Sequence, residues 1–293
     1  MENRTGLAIG LALCAASLYG LIPALARAAF EQGVPAVENT LFRTTVVALI
    51  LGAACIATGQ RLSLPRASHP AFIAQVIGTL LISVCFIASI QSIDVGLAVI
   101  IFFTCPIIIL LAAPLIERRH PGTIRLAIAG FAFAGLVVAI GPGFDRLNPL
   151  GLLLAAAGAI GYAVQFFSGR MLSRYAPPLV LGSLVHAAAW PVTLLVALTY
   201  SGGRLAILDV QTVTQTGYAC MAGVALVHMI AYVTHMRALK AAPASTVAPY
   251  FNAEPVMATA TAAIFLGERP ELHQYAGGAM VLAALLAASR LRG

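Results

Sequence analysis

Ten apolar runs, each close to twenty residues long, follow one another along this chain with only short polar breaks between them. About 20 mostly apolar residues is the length an α-helix needs to cross the hydrocarbon core of a bilayer. In lipid every backbone N–H and C=O must be satisfied within the segment, so such runs fold as helices. Broken at charges, Pro and Gly, the runs are approximately 6–29, 35–58, 71–92, 95–116, 122–141, 150–172, 178–200, 213–236, 243–266 and 272–290. The sequence predicts an all-α integral membrane protein of ten transmembrane helices, with connections too short to hold a soluble domain.

The charge content agrees. Only 9% of the 293 residues are charged, against about 25% in soluble domains. The net charge of +7 comes from basic residues scattered singly between apolar runs. No basic face forms, so nucleic acid is excluded as a partner and the bilayer is implied. Cys14, Cys55, Cys85, Cys105 and Cys220 all fall inside apolar runs and none belongs to a CxxC pair, so they read as small buried hydrophobes. No cofactor or metal site is expected. The chain holds no Gly-rich phosphate loop with Lys, no HExxH and no GxSxG, the signatures an enzyme or an ATP-driven pump would need. The first run, from Gly6 to about Ala29, exceeds the ~7–15 residues of a signal-peptide core and reads as a retained first helix.

Orientation follows from the Lys/Arg bias across the ends of the spans. With the N-terminus inside, twelve basic residues fall on the cytoplasmic side and four (Arg27, Arg146, Arg204 and Arg269) on the outer side, Arg43 lying inside the second span. Both termini are therefore expected in the cytoplasm. Two halves can also be laid on each other. Tyr19 and Arg27 match Tyr162 and Arg170 at one spacing, Pro35 matches Pro178, and Pro106 falls opposite Pro255. Each half has five spans, an odd number, so the second must be inverted relative to the first. The expected repeats are residues 1–143 and 148–290, joined through Gly141-Pro142-Gly143 and Asn148-Pro149. Inverted repeats with a binding site near the midplane are a transporter architecture.

The most telling local feature is Glu254-Pro255, midway along the run 243–266. A charge at the bilayer centre costs on the order of 3 kcal/mol, so it faces a partner or a cavity. The proline frees a backbone carbonyl one turn earlier and invites a kink; Pro106 and Pro255 are the expected hinges. Counting about 1.5 Å per residue from the span ends, Glu254 and Arg43 reach similar depths. They are expected to meet directly or through a bound substrate, and the pair reads either as a binding site or as a structural ion pair. Tyr250 and Asn252 flank Glu254 in sequence. Tyr19, Tyr162, Phe166, Phe167, Tyr232 and Phe251 are further candidates to line an aromatic cavity for planar or apolar groups. His186 and His228 are candidate proton relays, while His235 falls toward the cytoplasmic end. Gly6 with Gly10, and Gly158 with Gly161, give two spans a thin face for close packing. Asp94, Asp145 and Asp209 sit at span ends and read as solvated.

The segment Ala253-Glu254-Pro255-Val256, followed by Ala262-Ala263-Ile264-Phe265-Leu266-Gly267-Glu268-Arg269, resembles the end of the second repeat in the EamA type of the drug/metabolite transporter (DMT) superfamily. Arg43 sits where that family commonly has an arginine. The first-repeat counterparts are Thr104-Cys105-Pro106 and Leu115-Ile116-Glu117-Arg118. Cys105 stands where the second half has Glu254, so the halves are not chemically equivalent. The resemblance spans the whole chain and implies a ten-helix secondary carrier of a bacterial-type inner membrane, with two inverted five-helix bundles, a central cavity and a monomer sufficient for transport. It favours export of amino acids or related metabolites, with import of a vitamin-like compound such as riboflavin as the alternative. A membrane scaffold that transports nothing is the rival from another class. The sparse polar set argues against a wide aqueous pore.

Overall fold

Helices form where the apolar runs lie; three of them run on through Pro23, Pro114 and Pro191, while the fourth and ninth spans are interrupted near Pro106 and Pro249. In the computed structural model, residues 2–93, 95–118, 120, 122–141, 148–209, 211–265 and 271–290 are described. Asp94, Arg119, Pro142, Gly143, Asp145, Arg146, Leu266 to Arg269 and Arg292 lie outside these residues. The first two spans are α1 (Glu2–Glu31) and α2 (Ala36–Ala57). The third is α3 (His69–Leu80), a π-helical segment Leu81–Phe86, and α4 (Ile87–Ser92). The fourth is α5 (Val95–Phe102) and α6 (Cys105–Ile116), and the fifth is α7 (Thr123–Ile140). Then come α8 (Pro149–Leu172), α9 (Pro178–Tyr200) and α10 (Gln215–Ala241). The ninth span is α11 (Ala244–Val247), a 3₁₀ segment Ala248–Asn252, and α12 (Ala253–Phe265); the tenth is α13 (Leu272–Arg290).

Starts and stops have local causes. Asn148 caps α8 by accepting from the N–H groups of Leu150 and Gly151 at 2.9 and 3.3 Å, with Pro149 at the first helical position, where its missing N–H costs nothing. Pro106 opens α6 and the helix is interrupted just before it, at Phe103-Thr104. Pro255 sits in the first turn of α12, and the residues before it tighten into the 3₁₀ segment. Pro106 and Pro255 therefore each lie close to an interruption of the helix ladder.

Eight helices among the described residues are long and apolar enough to span a bilayer, and α13 adds a shorter apolar helix, Leu272–Ala288. The ninth span falls short as a single helix because the 3₁₀ segment divides it. Large apolar side chains face outward along the bundle, among them Leu49, Ile56, Leu115, Leu153 and Leu195, each more than 60% exposed. Only a lipid surround makes such a surface favourable. The protein is an all-α, multi-pass membrane protein with eight to ten apolar helices.

Inside, α1 packs along α10 and α12, α3 and the π segment along α8, α2 along α9, and α7 along α13. The main core lies between α1, α8, α10 and the broken ninth span. Close approach does not use the first glycine pair. A Cβ added at Gly6 or Gly10 would meet nothing within 4 Å; the buried stripe of α1 is instead Ala8, Ala12, Ala15 and Ala16. The second pair behaves as expected. A Cβ at Gly161 would lie 2.6 Å from Leu81 Cβ, and one at Gly158 3.2 Å from Phe86 Cβ, so the thin face of α8 receives the π segment.

Two carboxylates tie distant elements together. Glu38 on α2 accepts from Ile207 N–H at 2.9 Å. Glu117, just after α6, accepts from Ala244 N–H at 2.7 Å, from Ser245 N–H at 3.3 Å and from the Ser245 hydroxyl at 2.5 Å. The ninth span thus begins on a carboxylate supplied by the end of the fourth.

Candidate functional site

Glu254 enters the bundle on the first turn of α12, beside Pro255 and just after the 3₁₀ segment. Its Oε2 accepts a hydrogen bond from the Tyr162 hydroxyl of α8 at 3.4 Å, long for an O–H···O contact. Cys105, matched to Glu254 in the sequence, is buried and lies within electrostatic reach of it. The tips of the two broken spans therefore face each other at the centre.

Arg43 projects from α2 and donates from Nη2 to Ser83 Oγ at 3.4 Å; its Nε is buried and has no acceptor among the described residues. Ser83 lies in the π segment, a distortion often found at functional sites because it re-aims side chains that a regular helix would point elsewhere. The direct Arg43–Glu254 contact expected from their depths is not formed. Each head group is held by a hydroxyl instead, and Tyr19 on α1 neighbours both charges.

Next to Arg43 stand two histidines. His186 Nε2 and His228 Nε2 are 3.3 Å apart, joining α9 to α10. His186 Nδ1 lies 2.8 Å from the Gly182 carbonyl, which can only accept, so Nδ1 carries the proton, Nε2 accepts, and His228 Nε2 donates. Tyr232 packs edge-on to His186 at 5.0 Å. Its hydroxyl accepts from Gln75 Nε2 at 3.2 Å, and Gln75 Oε1 accepts from the Ser168 hydroxyl at 2.5 Å. One hydrogen-bonded chain thereby crosses α10, α3 and α8, and a ring contact joins it to α9. One turn further along α9, the Trp190 indole N–H donates to Thr45 Oγ1 of α2 at 2.8 Å.

Below Tyr162 the rings close into a box. Phe166 and Phe251 are 4.9 Å apart, and Tyr162 lies 5.1 Å from Phe166 and 6.2 Å from Phe251. Tyr19 reaches the same group, 6.2 Å from Phe251. Inside sits His235, fully buried, 4.4 Å from Phe166 and 4.5 Å from Phe251.

Of the residues singled out from the sequence, Glu254, Tyr162, Tyr19 and Phe166 form one group, and Arg43, His186 and His228 an adjoining one. Tyr250 and Asn252 are buried on the 3₁₀ segment, but neither hydrogen-bonds to Glu254 among the described residues; Tyr250 instead lies within electrostatic reach of Arg125 on α7. Sequence proximity to Glu254 does not translate into contact because the 3₁₀ turn rotates the preceding side chains away. Ser83, Gln75 and Ser168 join the site without a motif to mark them. The only sequence signal for Gln75 is a lone amide inside an apolar run. No group of three His, Cys, Asp or Glu side chains is placed to hold a metal among the described residues.

Comparison with known proteins agrees with this architecture. A solved crystal structure, described only as that of a protein, superposes with a TM-score of 0.83 over 97% of this chain and 98% of its own, at 18% identity; that likeness concerns the fold alone. No curated protein matches the sequence. Residues 6–141 and 149–290 each match the EamA-like transporter family, a family of transporters rather than enzymes. Because those matches cover nearly the whole chain, the protein belongs to the EamA-like transporter family of the DMT superfamily.

Proposed function

We propose that this protein is a secondary carrier that exports amino acids or related small metabolites across a bacterial-type inner membrane by alternating access. The observation that carries the reading is the separation of Arg43 from Glu254. A guanidinium and a carboxyl group sit in the middle of the bundle, and each is held by one long hydrogen bond to a hydroxyl rather than by the other. A permanent structural pair would have closed that gap, since a buried charge without its partner costs several kcal/mol. A zwitterion answers both needs, with its carboxylate toward Arg43 and its ammonium toward Glu254. Tyr19, Tyr162 and Phe166 would line its side-chain pocket, with Tyr250 and Asn252 joining them when the 3₁₀ segment moves. His186 and His228 would relay a proton beside Arg43.

The halves 1–143 and 148–290 would be inverted repeats with both termini cytoplasmic. Their packing supports this. The contact of α1 with α10 recurs as α8 with α3, and that of α1 with α12 recurs as α8 with α5 and α6. The pairs α2–α9 and α7–α13 map onto themselves under the same exchange. Rocking of the halves would bend the chain at Pro106 and Pro255, where the helices are already broken.

The test is uptake of radiolabelled amino acids, nucleosides and vitamins into proteoliposomes containing only this protein. Saturable, competable uptake of an amino acid supports the reading. Linear flux would point to a channel, and silence across the whole panel to a scaffold. Glu254→Gln should abolish uptake at unchanged expression; wild-type transport by that variant removes the carboxylate from the site.

A further inference from the structure

We propose that His235 is a substrate-contacting residue, and that the aromatic box around it receives a flat ring carrying its own hydrogen-bonding group, such as a phenol, an indole or an imidazole. This rests on the carrier reading above and narrows its substrate class.

Three buried polar side chains of the bundle have partners: Gln75 with Tyr232 and Ser168, His186 with His228 and Gly182, Ser183 with the Ala48 carbonyl. His235 differs. It is 0% exposed, and neither ring nitrogen has a hydrogen-bond partner among the described residues. A neutral imidazole carries one donor and one acceptor, and leaving such groups buried and unpaired is costly. Packing alone does not account for it, because a phenyl or leucyl group would fill an aromatic box without that cost.

The box has one yielding wall. Phe166 and Tyr162 stand on the continuous helix α8 and Tyr19 on α1, whereas Phe251 stands on the 3₁₀ segment between α11 and α12. That segment can swing without unpicking an α-helical ladder. As Phe251 parts from Phe166, the His235 ring faces the space beside Glu254, to which Tyr162 already connects it through an edge contact of 6.5 Å and the bond to Oε2. A ring entering there stacks on the aromatic walls, gives its polar group to His235, and sets its amino group toward Glu254. A substrate of the same size without the polar group leaves the imidazole unpaired, and sites built to hydrogen-bond a substrate discriminate strongly against such analogues.

L-Tyrosine and L-phenylalanine differ by one hydroxyl and make the direct probe, with L-leucine as a third. In proteoliposomes the wild type should prefer tyrosine to phenylalanine by at least about tenfold in apparent affinity. His235→Phe should bring the two within about twofold while still moving phenylalanine, and His235→Asn, which keeps a donor and an acceptor, should retain part of the preference. Should His235→Phe fail to fold, loss of the preference in His235→Leu serves the same purpose. Equal handling of the two by the wild type, or an unchanged preference in the variants, overturns the proposal. Transport of leucine with neither ring amino acid overturns the ring site and leaves the carrier standing; transport of no amino acid overturns the ring site, and silence across nucleosides and vitamins as well overturns the carrier.

Discussion

Gly20 marks the closest approach of α1 to the helix that carries Glu254. A Cβ there would lie 2.6 Å from Met257 Cβ and 2.8 Å from the Glu254 carbonyl oxygen, and Thr261 of α12 donates to the Gly20 carbonyl at 3.0 Å. Gly20→Ala must push α12 outward and should lower stability by about 1–3 kcal/mol, as overpacking does. Gly10→Ala meets nothing and should leave the melting temperature unchanged; scanning fluorimetry on the two purified variants separates them. Residues at this scale are legible in the sequence only where chemistry clashes with its surroundings. Glu254 and Arg43 stand out because a charge in an apolar run is visible without a structure. Gly20 and Ser83 do not, and His235 shows only as an imidazole near a span end, because their importance depends on which helices meet, and a one-dimensional pattern carries no record of that.

At the scale of elements, the spans are legible and their interruptions only half so. Prolines announce the breaks at α5–α6 and α11–α12, but the π segment Leu81–Phe86 has no proline or glycine within it. It arises where the third span must fit the thin face of α8 and hold Ser83 toward Arg43, a tertiary demand. The start of the ninth span is similar. Glu117 accepts three hydrogen bonds from α11 across the bundle, so Glu117→Ala should destabilise by about 1.5–3 kcal/mol and Glu117→Gln by less, read as a drop in melting temperature. The loop after α9 gives a pH-dependent counterpart. Asp209 accepts from Gln211 N–H and the Thr212 hydroxyl at 2.9 and 2.8 Å, and these bonds hold its carboxyl below the usual range. A carboxyl depressed in the folded state stabilises above its unfolded value, and that contribution is lost as pH falls through the folded one. Protection factors of the amides in residues 211–214, corrected for intrinsic exchange at each pH, should therefore hold above about pH 5 and fall as pH drops below about 4, the ordinary aspartate value.

For the whole molecule, the proposed topology makes a sharp demand. In a cysteine-free background, single cysteines replacing Arg4 and Arg290 should react with a membrane-impermeant maleimide from the same side, and one replacing Arg204 from the opposite side. Labelling of the two ends from different sides would dismiss the even number of spans. The Lys/Arg bias points to this arrangement, and the two family-matching halves share the spacing of Tyr19–Arg27 and Tyr162–Arg170. How far the halves diverge is not. Arg170 donates to the carbonyls of Leu239 and Lys240 at 2.6 and 2.8 Å, closing the end of α10, whereas Arg27 pairs with Glu31 at 3.4 Å on an exposed face. Equivalent positions have been put to different uses.

Trp190 is the chain's single tryptophan, and its indole N–H is fastened to Thr45, two residues beyond Arg43 on α2. All tryptophan emission from this protein therefore originates at one address, on the seam between α2 and α9. The ring is partly open to lipid, at 37% exposure, so its spectrum is set by how much of that seam is closed. The molecule carries its own optical gauge, and a shift of α2 against α9 can be followed in the unlabelled protein.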